Sequence, residues 1–148
     1  LVYTKVSNMA AQMLSGDFDL KSSTKMGECL SAMGVSDSSY SVIHLLYKNQ
    51  QEITVDLKFG NYRLTLDTFS HGVSKEISDS IGKMHNAQLE VTPAQNIIRM
   101  SLSSKFIPTG VLYLFELRVF VYSMSVEITS FDLEGNEVHR ANLEYARR

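Results

Sequence analysis

VLYLFELRVFVYSMSVEITSFDL, Val111 to Leu133, is the most apolar and most β-prone stretch of this 148-residue chain. On an extended backbone Phe115, Leu117, Val119 and Val121 fall on one face, and Glu116, Arg118, Phe120 and Tyr122 on the other. Two of those outer residues are aromatic, so the second face is partly covered, as in a central strand. After Tyr122-Ser123 the parity flips: Met124, Val126 and Ile128 now alternate with Ser125, Glu127 and Thr129. A strand cannot change faces without a bulge, bend or turn, which places a reversal near Ser123. The stretch does not read as a membrane-spanning helix. Glu116 and Arg118 sit at its middle, where a charge costs about 2.5–3.5 kcal/mol on insertion scales.

Working outward, the clearest pattern is a hairpin. Ile53, Val55, Leu57 and Phe59 alternate with polar residues up to Gly60-Asn61, and Tyr62, Leu64 and Leu66 alternate after it. A two-residue turn there pairs Phe59 with Tyr62, Leu57 with Leu64 and Val55 with Leu66 on one face. It also sets Lys58 opposite Arg63, a like-charge pair that calls for an acidic neighbour. A second Gly-Asn pair, Gly135-Asn136, predicts another turn, with Ile128 facing Leu143, Val126 facing Tyr145 and Asp132 facing His139.

Elsewhere the apolar spacing reads as helical. Val2, Val6, Met9 and Met13 predict an amphipathic helix ending at Ser15-Gly16, followed by a polar link, Asp17-Phe18-Asp19. Met26, Cys29, Leu30 and Met33 predict a second helix ending at Gly34. Tyr40 to Tyr47 is uniformly apolar, and a capping Asp37 or Ser38 tilts it towards helix. Val73, Ile77, Ile81 and Met84 predict a helix capped by Ser74. Thr92-Pro93-Ala94-Gln95 has the residues of a helix start, leading into a stripe of Ile98 and Leu102. The expectation is one α+β domain over residues 1–148, an antiparallel sheet built from hairpins and packed with several short amphipathic helices. The N-terminal helices, residues 2–34, are expected to serve as a docking or self-association element.

Composition narrows the function classes. The net charge of −2 is spread evenly, which argues against charge-driven or sequence-specific nucleic-acid binding. The lone Cys29 and the absence of an Asn-x-Ser/Thr acceptor fit a reducing, intracellular compartment. The first residues lack the basic region and apolar core of a signal peptide.

No constellation of reactive groups stands out. Asp17-x-Asp19 lacks further oxygen ligands at cation-binding spacing. His44, His71, His85 and His139 stand in no metal-ligand frame, so no metal or cofactor is expected. Asp67, Ser70 and His71 have the residue types of a hydrolase but no nucleophile elbow. Cys29 reads as core. The seven methionines are numerous, and Met9, Met13, Met26 and Met33 lie on the helical stripes, suited to a pliable core or a deformable contact surface.

With no reaction centre, the expectation is an assembly protein, not an enzyme, that contacts itself as a homo-oligomer and other proteins through Met9, Met13, Met26 and Met33. The alternative is a small apolar-ligand-binding module with Tyr113, Tyr122 and Arg118 lining a cavity. In element order, the segments SYSVIHLLYKN, EITVDLKF, YRLTLD and FELRVFVYSMSVEI resemble the core of rhabdovirus matrix proteins over residues 37–133. That resemblance implies a virion-associated structural protein bridging a nucleocapsid and a membrane, with peripheral membrane contact. The chain carries neither a Pro-Pro-x-Tyr motif nor a basic N-terminal arm.

Overall fold

The late β-rich stretch forms two antiparallel strands joined at Phe120–Tyr122, where the parity flip requires a reversal. They belong to a ten-stranded sheet. The computed structural model describes residues 12–37, 39–48, 51–104 and 110–148. In chain order the strands are β1 (Gly16–Thr24), β2 (Ser41–Tyr47), β3 (Glu52–Phe59), β4 (Tyr62–Ser70) and β5 (Ser74–Ser78). They continue with β6 (Met84–Thr92), β7 (Ile97–Ser104), β8 (Val111–Val119), β9 (Ser123–Phe131) and β10 (Glu137–Arg147). All pairings are antiparallel, and β1 pairs with β10, so the meander bends round into a barrel open at one seam, between β4 and β5. The described residues also hold a helix of five residues, α1 (Met26–Leu30), two short 3-10 turns and a helical pair at Gln12 and Met13.

The fold is therefore a nearly closed antiparallel barrel, not the expected α+β arrangement with several helices. The reason lies in the spacing. Residues four apart share a face on a helix and also on a strand. Ile98 and Leu102 fit both, but Met100 between them is also fully buried, which makes β7 a strand of period two. The Pro93 start does produce helical structure, but only one 3-10 turn, ended by Asn96 in the left-handed region. Ile77 lies in edge strand β5, and Ile81 in the turn before β6, so the helix expected over residues 73–84 does not exist. Residues 41–47 are a strand whose outward positions happen to be apolar Val42 and Leu46, which hid the alternation. Asp17-Phe18-Asp19 is no link but the start of β1, with Phe18 buried and both aspartates outward. The second helix ends where expected, at Gly34, whose φ of 91° suits glycine. The helix expected over residues 2–14 lies almost wholly outside the described residues.

The Gly60-Asn61 hairpin has the expected register throughout, including Lys58 opposite Arg63. Positive φ at Gly60 alone is the pattern of a II′ turn. Asp56, on the same outer face, answers the like charges by accepting from the Arg63 guanidinium. The late hairpin differs by two residues: Ile128 faces Ala141, Val126 faces Leu143 and His139 faces Ser130. Its turn is longer than two residues because the Asp132 carboxylate accepts from the amides of Glu134 and Asn136.

Every strand except edge strand β5 sends alternate apolar side chains to one shared interior. On β8 and β9 these are Tyr113, Phe115, Leu117 and Val119, then Met124, Val126 and Ile128. Truncating Phe115 to Ala is expected to cost about 3–5 kcal/mol, read from urea unfolding. Glu127→Ala, on the outward face of β9, should cost less than about 1 kcal/mol. A reversed order would mean that the strand faces are assigned the wrong way round.

Candidate functional site

The strands enclose a packed apolar interior. Leu45 of β2, Val55 of β3, Leu66 of β4, Leu89 of β6, Met100 of β7 and Leu143 of β10 are all wholly shielded from water, from every side of the wall. α1 and the 3-10 turn after it lay Met26, Cys29, Leu30 and Met33 over one end as a cap, all buried. The cap touches the β5–β6 turn, where Lys83 Nζ donates to the Ala32 carbonyl and Ile81 packs against Gly34. At the other end Arg147 lies with its guanidinium carbon 4.6 Å over the Phe18 ring and donates to the carbonyls of Met13, Ser15 and Phe120. Burial pushes the Arg147 pKa down.

The seam is held by side chains instead of a backbone ladder. Tyr62 of β4 donates to Asp79 Oδ2 at 2.9 Å, and His85 Nε2 of β6 lies 2.9 Å from the same oxygen. The amides of Ile81 and Lys83 donate to Asp79 Oδ1. Further along, Lys75 Nζ reaches across from β5 to the Thr68 carbonyl and sits 4.5 Å over the Phe69 ring. At the far end His71 Nδ1 accepts from the Val91 amide, while Gln51 donates to the Val91 carbonyl. Burial of the Asp79 carboxyl pushes its pKa up, but the four hydrogen bonds together outweigh it and hold the pKa below the usual carboxylate range. Burial chiefly, with the Asp79 carboxylate beside it, drives the Tyr62 hydroxyl far above its usual range.

The sequence-derived candidates scatter. Asp17 faces outward and bonds His44 Nδ1 at 2.8 Å, and Asp19 pairs with Arg148. Asp67 takes the hydroxyls of Thr54 and Thr68, and His71 is spent on Val91, so neither makes a hydrolase with Ser70. His139 stands 4.0 Å from Glu28, not opposite Asp132. Among the described residues no three His, Cys, Asp or Glu side chains form a group that could hold a metal. Of Tyr113, Tyr122 and Arg118, only Tyr113 faces inward. Met26 and Met33 are buried in the cap, Met13 is half-buried beside Arg147, and Met9 lies outside the described residues.

The residues that close the barrel, Tyr62, Asp79 and His85, carried one legible signal. Asp79-Ser-Ile-Gly-Lys has the Asx and Gly pattern of a turn, and it was masked by the four-residue spacing of Ile77 and Ile81. A second apolar place exists on the outer wall, a shallow groove of about 580 Å³ lined by Leu114, Phe131 and Leu133.

Asp79→Asn is expected to lower stability at pH 7 by about 1–3 kcal/mol. A carboxylate with a depressed folded-state pKa stabilises fully above its unfolded value of about 3.9, and that stabilisation is lost as pH falls through the folded value. Urea unfolding of both proteins from pH 7 down to pH 3 should therefore show their difference shrinking towards acid.

No family pattern and no curated protein matches the chain by sequence. Solved structures do match in shape. A fatty acid binding protein of Schistosoma mansoni in complex with arachidonic acid superposes with a TM-score of 0.70 at 16% identity, covering 94% of this chain and 98% of that one. The fatty-acid-binding protein of Manduca sexta gives 0.67 at 18% identity, covering 90% and 98%. The apo lipid binding protein 8 of Caenorhabditis elegans gives 0.70 at 10%, covering 93% and 96%. These likenesses overturn the resemblance to rhabdovirus matrix proteins. With it go the virion, nucleocapsid-bridging and peripheral membrane roles it implied, and the homo-oligomeric assembly expected from the lack of a reaction centre goes as well. Element order in sequence does not separate the two, because the strands at 41–47, 74–78 and 97–104 also read as helical segments. The chain has the fold of the fatty-acid-binding proteins.

Proposed function

We propose that the chain binds a small apolar ligand inside the barrel and performs no chemistry on it. The observation that carries this reading is the predominantly apolar interior of a wall that ten strands almost close. It is the second of the two sequence readings, the ligand module, and it is supported by the company the fold keeps: proteins of this shape bind fatty acids. The scatter of the candidate reactive side chains among the described residues supports a carrier over an enzyme. The Asp79 carboxylate spends both oxygens on Tyr62, His85 and two amides, and no hydroxyl apart from that of Tyr62 bonds it among the described residues.

The interior side chains are packed against one another, so a ligand must displace them. Two features make that feasible. Met33, Met100 and Met124 are buried, and flexible thioethers repack at low cost. The wall can also widen at the β4–β5 seam without breaking a ladder, because only side-chain and turn hydrogen bonds cross it. Each methylene moved from water is worth about 0.8 kcal/mol, so about ten supply roughly 8 kcal/mol before repacking and immobilisation are subtracted. In this reading Met26 and Met33 touch ligand from the cap, and Met13 stays at the closed end.

Titration with Nile red, an uncharged fluorophore, tests the proposal against a protein free of tryptophan. Saturable binding at one site per chain is expected, displaced by a long-chain lipid. Ala87→Leu with Ala141→Leu, which fills the interior, should weaken binding at least tenfold, whereas Leu114→Lys in the outer groove should leave it unchanged. Loss of binding in Leu114→Lys alone, or no saturable binding at all, would overturn it.

A further inference from the structure

The charges that reach the interior restrict what kind of ligand it can hold. Among the described residues Asp79 and His85 are the buried acidic and imidazole side chains, and no lysine or arginine residue is buried as a whole. The Asp79–His85 pair sums to zero if the imidazole is protonated and to minus one if it is not, so it never offers a free positive charge. The remaining interior ionisable groups are Cys29, Tyr47, Tyr62, Tyr113 and Tyr145, none of which can become cationic. Two cations lie over buried rings. Lys75 Nζ sits 4.5 Å over Phe69 and donates to the Thr68 carbonyl. Arg147 lies over Phe18 with its terminal nitrogens committed to three backbone carbonyls at the barrel end, and its Nε is buried without a hydrogen-bond partner.

An ionised carboxylate moved into such a space loses its water and gains no counter-ion, a penalty of several kcal/mol per charge in proteins. A neutral oxygen fares differently. Ser41 Oγ and the Tyr145 hydroxyl, both buried, lie 2.7 Å apart and share one hydrogen bond. Two hydroxyls bring two hydrogens, and the bond between them uses one. The other hydrogen and the spare lone pairs suit an uncharged hydroxyl or carbonyl.

Resting on the apolar-ligand reading above, we infer that the ligand is an electrically neutral lipid, a long-chain alcohol or ester or a molecule of like polarity, and not a fatty acid anion. The test is competition against bound Nile red at pH 8.5 with 1-hexadecanol, methyl hexadecanoate and hexadecanoate, each delivered from cyclodextrin. The alcohol and the ester should displace the dye at concentrations at least tenfold below that of the acid. Lowering the pH to 5 should bring the acid closer to the alcohol as its own carboxyl takes up a proton, while the alcohol keeps its affinity. An acid that competes as well as the alcohol at pH 8.5 overturns this inference and leaves the ligand-binding reading standing. Failure of Nile red and of all three lipids overturns that reading itself.

Discussion

Nothing in this structure matters more than the place where backbone hydrogen bonding stops. Ten antiparallel strands joined mostly by turns, with the first paired to the last, leave β4 and β5 as neighbours in sequence with no ladder between them. Two open strand edges in apposition are ordinarily a liability, since each presents unpaired amides and carbonyls. Here a buried carboxylate, a tyrosine, a histidine and a lysine bridge them instead. The bridge is specific in geometry yet local, so it can open without dismantling the sheet on either side. A wall with one such line of weakness can admit a guest and still refold around it.

The same arrangement explains why charge and apolarity are so cleanly divided. Outward positions carry the ion pairs, such as Arg63 with Asp56, Arg148 with Asp19, and Arg140 with Glu137, where surface screening makes each worth little. Among the described residues inward positions carry mainly aliphatic and aromatic side chains, with buried polar groups such as Ser41, Tyr62, His85, Ser130, Tyr145 and the seam carboxylate of Asp79. The alternation along each strand is thus an electrical partition as well as a packing rule.

Much of the late half was legible in the sequence. The alternation through Phe115, Leu117 and Val119, and the flip to Met124, Val126 and Ile128, required the reversal that Phe120–Tyr122 provides. Gly60-Asn61 gave a full hairpin register because a two-residue turn leaves only one pairing. The rest was hidden for a physical reason. A spacing of four is common to helix and strand, and the intervening residues decide between them. At Ile98–Leu102 the decisive residue was Met100. At Ile77–Ile81 it was Asp79, whose turn also builds the seam. The candidate site was barely visible, because the interior is made of ordinary apolar residues drawn from nearly every strand. Of Tyr113, Tyr122 and Arg118, only Tyr113 faces it.

The proposal of a neutral lipid inside this barrel is tested directly by isotope-filtered NMR on the protein with bound 1-hexadecanol. Contacts from the alkyl chain to the methyl groups of Ile43, Leu66, Leu89 and Leu117 are expected. Contacts confined to Leu114 and Leu133 of the outer groove, with the interior methyls unperturbed, would contradict it.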